Sequence, residues 1–352
     1  MLTLVLNPGS TSTKVAIYED KNELCRKTIS HSKEELAVFP DIMDQFEFRY
    51  KLVLEFMEAE GYTIDRLDCV ISRGGSPPNV NSGATVVDEN LVTALKERPK
   101  DRHPAGIGPV IAYDISQKCG IPAYIYDPVS ADELNPLARL FGVKGIEHDS
   151  MCHVLNTRAM SIAQAKEMGK TLEEVNFVVA HFGGGNSVAL WEHGKLSDVI
   201  AGDAGTFSSE RCGPIRSERL LELSSQYDAK TIRGWFHGKG GMVSLLGTND
   251  LREVEKMIVA GDEYALLCQQ AMAYQLSRCI AYLFPPVKGA VDGIILTGGG
   301  AFWERLVNDI KERLAYLNVP VFVRPGENEM QSLAEGAYRL MTGEEKAQIY
   351  EG

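Results

Sequence analysis

The feature of this sequence that most limits its fold is an internal echo. Leu4-Val5-Leu6-Asn7-Pro8-Gly9-Ser10, continuing through Lys14-Val15-Ala16-Ile17, is matched by Val178-Val179-Ala180-His181-Phe182-Gly183-Gly184-Gly185-Asn186-Ser187-Val188-Ala189-Leu190. Each copy reads as strand, small-residue turn, strand, and the copies lie about 174 positions apart, near half the chain length. A repeat of that kind implies a duplicated domain pair, with the two turns expected to face one another across a cleft. At 352 residues the chain is also too long for one ordinary core. The expected division is 1–150, joined by a C-terminal helix at about 326–352, and 151–325. Strand-like runs at 2–6, 13–18, 68–72, 84–87, 122–126, 176–181, 186–191, 291–296 and 319–323 alternate with helical periodicity at 33–60, 105–118, 153–168, 216–226, 251–284 and 330–341. That alternation argues an α/β fold. The span 251–284 is expected to break near Gly261-Asp262.

Bulk properties narrow the function classes. A formal net charge of −12 disfavours a nucleic-acid or anionic-membrane partner, although a small anionic ligand stays compatible with it. No apolar run approaches the roughly 18 residues of a membrane span, and the start lacks the pattern of a signal peptide. The seven cysteines are scattered, odd in number and free of Cys-x-x-Cys. They read as reduced thiols of a cytoplasmic protein, most of them core filler.

Three turns bear chemistry: Asn7-Pro8-Gly9-Ser10-Thr11-Ser12-Thr13 before Lys14, Gly183-Gly184-Gly185-Asn186-Ser187, and Thr297-Gly298-Gly299-Gly300-Ala301. Turns of glycine and hydroxyl residues let backbone N–H groups approach a phosphate with no Cβ in the way. The sequence has neither G-x-x-x-x-G-K-[ST] nor G-x-G-x-x-G, so a P-loop and a Rossmann site are both unsupported. Asp127 ends the apolar run at 122–126. In open α/β sheets ligands sit beyond the carboxyl ends of strands. There Asp127 could hold Mg²⁺, act as a base, or simply accept a turn hydrogen bond. His181 directly precedes the second turn, and Arg211 lies in a loop before a helix. A guanidinium in such a place suits neutralisation of a transferring phosphoryl group.

Taken together, the opening motif through Lys14, Arg73-Gly74-Gly75, Tyr126-Asp127-Pro128, His181-Phe182-Gly183-Gly184-Gly185 and Thr297-Gly298-Gly299 resemble the acetokinase family, over essentially the whole chain. The match is closest to its butyrate-kinase branch. The resemblance implies the duplicated ribonuclease-H-like, actin-like ATPase fold shared with sugar kinases and chaperone ATPases. It also implies Mg²⁺-dependent phosphoryl transfer between ATP and a short-chain fatty acid, giving acyl phosphate and ADP, by a cytoplasmic enzyme that forms a homodimer or higher oligomer. By position, Asp127, Arg211 and His181 match catalytic residues, and Asn7, Arg73 and His103 the substrate end. Ser10, Lys14, Gly183, Gly184, Gly185 and Asn186 match the phosphate site, and Gly298, Gly299 and Gly300 the adenosine turn. Glu329 falls where the family places a metal-associated Glu, with Asp127 a second metal candidate.

Two departures point away from acetate kinase. Acetate kinases carry an Arg three residues before the place of Arg73, and here that place is Val70. The acyl-carboxylate clamp is then expected at Arg73 or Arg102. The family's His-Gly-x-x-His segment keeps only its second His, as His153. Acetate or propionate kinase of the same family, a sugar kinase and a non-catalytic nucleotide-binding regulator remain the rival readings.

Overall fold

The computed structural model describes all 352 residues, Met1–Gly352. They form two compact units, one of Met1–Asp132 with Asn328–Gly352 and one of Glu133–Glu327.

The first unit holds a six-stranded sheet of β1 (Leu2–Pro8), β2 (Ser12–Glu19), β3 (Asn22–Ser30), β4 (Cys69–Arg73), β5 (Ala84–Val86) and β6 (Ala123–Tyr126), in the order β3-β2-β1-β4-β6-β5. β1, β2 and β3 form an antiparallel meander, whereas β4 and β6 run parallel to β1. The second unit repeats this plan with β7 (Asn176–Phe182), β8 (Asn186–Glu192), β9 (Lys195–Ile200), β10 (Gly293–Gly298) and β11 (Val321–Pro325). Read from the β9 edge, its order is β9-β8-β7-β10-β11, with the same directions strand for strand. β5 is the one addition to the first sheet.

The equivalence extends to irregularities. The β2–β3 ladder slips between Ile17 and Tyr18, and the β8–β9 ladder between Leu190 and Trp191. The aromatic ring at each slip, Tyr18 or Trp191, is fully buried. A bulge adds local twist to a ladder, and both copies place it beside the largest side chain of that strand.

Parallel strands covered on both faces need near-continuous apolar runs, and β1 and β7 supply them. The helices Ile107–Cys119 and Glu304–Leu314 make the corresponding crossovers, from β4 to β6 and from β10 to β11. The helix Val154–Glu167 follows β6 in the chain but packs on β7 and β10, and the helix Glu329–Met341 follows β11 but packs on β1 and β4. Each unit has its own apolar core, around Leu6, Val53, Val70 and Ile111 in the first and Val178, Met272, Leu296 and Ile310 in the second. No helix is long and apolar enough to cross a membrane.

Several expectations change. The opening turn is tighter than its seven polar residues suggest. The β1–β2 ladder runs on to Pro8 opposite Thr13, and the Gly9 N–H donates to the Ser12 carbonyl at 2.7 Å. β3 shows no apolar alternation because it is an edge strand exposed along most of its length, and β9 is likewise missing from the sequence reading. The single helix expected at 33–60 is three pieces, Lys33–Ala37, a 3₁₀ turn Ile42–Gln45 and Phe46–Ala59, because Pro40 disfavours helical geometry at the residue before it. The break near Gly261-Asp262 stands, with Asp262 capping Glu263–Tyr282.

One glycine in the first unit has no room to be anything else. A Cβ on Gly108, in the first turn of Ile107–Cys119, would overlap Ser72 Oγ and lie 3.0 Å from Pro8 Cδ. Gly108→Ala is therefore expected to lower stability by about 1–3 kcal/mol, the usual range for overpacking. An unchanged urea midpoint would contradict this account of how that helix seats on β1 and β4.

Candidate active site

In the first unit the carboxyl ends of the three parallel strands carry Asn7, Arg73 and Asp127. The carboxylate of Glu329, first residue of its helix, draws two of these together with Lys14. Asn7 Nδ2 donates to Oε2 at 2.7 Å and Arg73 Nη1 to Oε1 at 2.8 Å, while Lys14 Nζ lies 3.5 Å from Oε2. An acidic side chain is favoured at a helix N-terminus, and here two cations and an amide reinforce it.

Asp127 is held differently. It takes a left-handed backbone, φ 45°, that ends β6, a conformation Asp tolerates better than most residues. Its N–H donates to the Gly83 carbonyl at 2.9 Å, and the Gly83 N–H returns a 2.6 Å bond to Oδ1. The preceding Tyr126 is fixed from the C-terminal segment. Its hydroxyl donates to Glu345 Oε2 and accepts from Arg339 Nη2, both at 2.6 Å.

The Arg73-Gly74-Gly75 motif has a packing explanation. Gly75, at φ 64°, has its missing Cβ position 2.8 Å from Gly106 Cα. That approach seats the short turn Pro104–Gly106 and its cap, His103. His103 Nδ1 accepts from the Ala105 N–H at 3.1 Å, which leaves the proton on Nε2, 3.3 Å from Ser10 Oγ. Arg102 stays apart, paired with Asp41 on the surface at 2.7 Å.

In the second unit His181 ends β7 and is almost fully buried. Its ring stacks on His153 at 3.9 Å between centroids, 10° from parallel. Asn156 Nδ2 donates to the Gly326 carbonyl at 3.2 Å, so Asn156 Oδ1 is turned towards His181 Nδ1, 2.8 Å away. His181 Nε2 lies 3.1 Å from Glu327 Oε1. The loop carrying Arg211 is stapled onto the glycine turn. Ser208 Oγ donates to the Gly184 carbonyl at 2.6 Å, and Ser209 Oγ to the Gly183 carbonyl at 3.0 Å. This brings the Arg211 guanidinium against Gly185, where a Cβ would sit 2.9 Å from Cζ. The third turn is adjacent, since the missing Cβ of Gly183 would be 3.7 Å from the Gly299 N and 3.9 Å from the Gly300 N.

The structure thus gathers Asn7, Lys14, Arg73 and Glu329 at one point and Ser10 with His103 at another, in the first unit. In the second it gathers His181, Gly183, Gly184, Gly185, Arg211, Gly298, Gly299 and Gly300. Asn186 holds the glycine turn itself. Its Oδ1 accepts from the Gly183 N–H at 3.1 Å and its Nδ2 donates to the Phe207 carbonyl at 2.8 Å, so the amide shapes the turn. The residues that the sequence reading missed are Asn156, Ser208, Ser209 and Glu327. Only Glu327 had a signal, as the nearer acid in Glu327-Asn328-Glu329.

No group of three His, Cys, Asp or Glu side chains converges as a metal cage. Mg²⁺ held with nucleotide phosphates and water needs only one or two protein carboxylates, and Asp127 and Glu329 fit that demand. Each already holds a fixed position, Asp127 through Gly83 and Glu329 through Arg73 and Asn7.

The acetokinase family model matches residues 122–321. Among solved structures, acetate kinase from Porphyromonas gingivalis is similar with a TM-score of 0.79 at 19% identity, covering 98% of this chain and 100% of that one. A propionate kinase from Francisella tularensis subsp. tularensis gives 0.77 at 17%, covering 95% and 98%. Acetate kinase from Entamoeba histolytica gives 0.76 at 18%, covering 96% and 98%. These likenesses agree with the repeated strand order, and the fold is the duplicated actin-like ATPase fold.

Burial, then the Arg73 and Arg49 charges, hold the His103 imidazole below its usual 6.5 against the opposing pull of Asp101. A base depressed in the folded state takes up its proton more readily when unfolded. Stability therefore falls as pH drops below 6.5 towards the folded value. His103→Asn keeps a good cap residue and removes that titration. Urea midpoints at pH 7.5 and 5.5 should fall less in the variant than in the wild type, and equal falls would refute this assignment.

Proposed function

Because the chain belongs to the acetokinase family, and is thereby an ATP-dependent kinase of carboxylates, we propose that its acid is butyrate or a related short or branched-chain fatty acid. The observation that carries this reading is the place of Val70, completely buried in the apolar core of the first unit. The position where acetate kinases carry an Arg offers no charge to an acid here. The clamp then falls to Arg73, which already binds a carboxylate, that of Glu329. Beside His103 lies a narrow crevice whose apolar wall is Ile42, Met43, Leu95 and Pro99, with Asp41, Ser76, Asp101 and Arg102 on its polar side, and we place the alkyl tail of the acid against the apolar wall.

On this reading the first unit binds the acid and the second binds ATP. A fatty acid has a pKa of about 4–5, so at pH 7 it is already ionised and needs no general base. One carboxylate oxygen bonds to the γ-phosphorus, the bond from that phosphorus to the β,γ-bridging oxygen breaks, and ADP leaves with its electron pair. No proton changes hands. The main barrier is electrostatic, because two anions must meet. Arg211 and His181 neutralise the transferring group, Arg73 and Lys14 hold the acid, and Asp127 orients rather than deprotonates. Mg²⁺, when bound with the nucleotide, supplies further neutralisation of phosphate charge.

ATP with acetate, propionate, butyrate, isobutyrate or glucose, with acyl phosphate trapped as its hydroxamate, tests the proposal. Butyrate or isobutyrate should give the highest kcat/KM. A preference for acetate would overturn the substrate, and phosphorylation of glucose alone would overturn the reaction. Arg211→Ala should lower kcat about 1,000-fold or more with an unchanged urea midpoint. Met43→Ala should widen the crevice and shift preference by one or two methylenes, each worth about 10-fold or more in kcat/KM. An unaltered chain-length profile would move the acyl pocket elsewhere.

A further inference from the structure

Under the opening turn lies a cation with no carboxylate partner. Arg49, on the helix Phe46–Ala59, is completely buried. Its Nε donates to Gln45 Oε1 at 3.0 Å, and Nη1 donates to the Ser12 carbonyl at 3.1 Å and to Thr13 Oγ1 at 2.9 Å. The remaining nitrogen, Nη2, is sealed from solvent and makes no hydrogen bond. Burial alone brings its pKa down to about 10, with no acid opposing the shift, so the charge persists at neutral pH.

The chain of contacts runs on into the turn. The Thr13 hydroxyl, accepting from Arg49, also hydrogen-bonds with His31 Nε2 at 2.9 Å, and the His31 backbone N–H donates to the Thr11 carbonyl at 2.8 Å. Burial and then the Arg49 charge keep the His31 ring below its ordinary pKa, which suits an acceptor at Nε2. Thr11, Ser12 and Thr13 are all tied to Arg49, directly or through His31.

Shaping the turn does not by itself require a charge. In the second copy of the motif the same ladder position is Asn186, opposite Phe182 as Thr13 is opposite Pro8. There a neutral amide secures the turn through Gly183 and Phe207. Burying a charge without an opposing charge is costly even when it is hydrogen-bonded. The position of the charge, beneath hydroxyls and amides that suit an oxyanion, supplies the missing reason. We propose that Arg49 is a positioning residue for the transfer reaction. Its fork sets the Ser10–Thr13 turn, and its charge is completed by the oxyanion that the turn receives. This rests on the carboxylate-kinase reading above.

The test compares Arg49→Met, Arg49→Lys and Thr13→Val with the wild type in acyl-phosphate kinetics. Urea midpoints are measured with and without inorganic phosphate. Arg49→Met should lower kcat/KM for the acid about 100-fold. Arg49→Lys should recover at least 10-fold of that loss, and Thr13→Val, which keeps the charge but loses the relay, should lose less than Arg49→Met. Phosphate should raise the midpoint of the wild type more than that of Arg49→Met. Wild-type kinetics in Arg49→Met, or equal losses in Met and Lys variants, would overturn the proposal. So would equal phosphate effects in wild type and Arg49→Met. Should Arg49→Met not fold, the charge-retaining pair decides, and wild-type kinetics in both would be fatal. A wild type that forms no acyl phosphate from any acid refutes the functional reading instead, and the phosphate arm still judges Arg49.

Discussion

Glu329 brings the ends of the first sheet into register with the last helix of the chain. Its carboxylate takes one bond from the end of β1, through Asn7, and one from the end of β4, through Arg73, with Lys14 of β2 close by. Three strand ends are thereby referenced to one helix N-terminus. The Arg73–Glu329 pair is largely covered and so better shielded from the screening that makes exposed pairs weak, whereas Lys14 is nearly half exposed. The rest of the first half-site follows from that framework, because Asp127 and its Gly83 clamp lie one strand beyond Arg73 in the same sheet.

The second unit reaches a comparable order by other means. No carboxylate there gathers several cations. Serine hydroxyls and backbone carbonyls pin the Arg211 loop to the glycine turn, and a stacked imidazole pair with Asn156 sets His181. The same strand plan thus supports one half built on charge pairing and one built on hydrogen-bonded loops. A rigid cradle of N–H groups, as in the second unit, suits a phosphate chain.

Much of this was legible in the sequence. The echo between Val5-Leu6-Asn7 and Val179-Ala180-His181 marks equivalent strands, and the β1–β4 pairs from Thr3 to Leu6 correspond to the β7–β10 pairs from Phe177 to Ala180. The turn residues announce themselves because glycine and hydroxyl clusters leave few structural options. The missed pieces share a physical character. β3 and β9 are third strands of their sheets, and β3 lies at an exposed edge, where one-sided burial writes no strong alternation. Asn156 and Arg49 lie on helices far in sequence from the turns they serve, and a polar residue facing inwards from a helix looks like any other until the fold closes around it.

The exchange of covering helices has a consequence for biosynthesis. The second unit is one continuous stretch, Glu133–Glu327, whereas the first needs Asn328–Gly352 to finish it. As the chain emerges from the ribosome, β1 and β4 exist for most of translation without the helix that covers them. Their apolar faces wait for Asn328–Gly352, while the second unit has everything it requires once Glu327 is made. Domains that form as units fold as they become complete, so the half that begins the chain is the last to close.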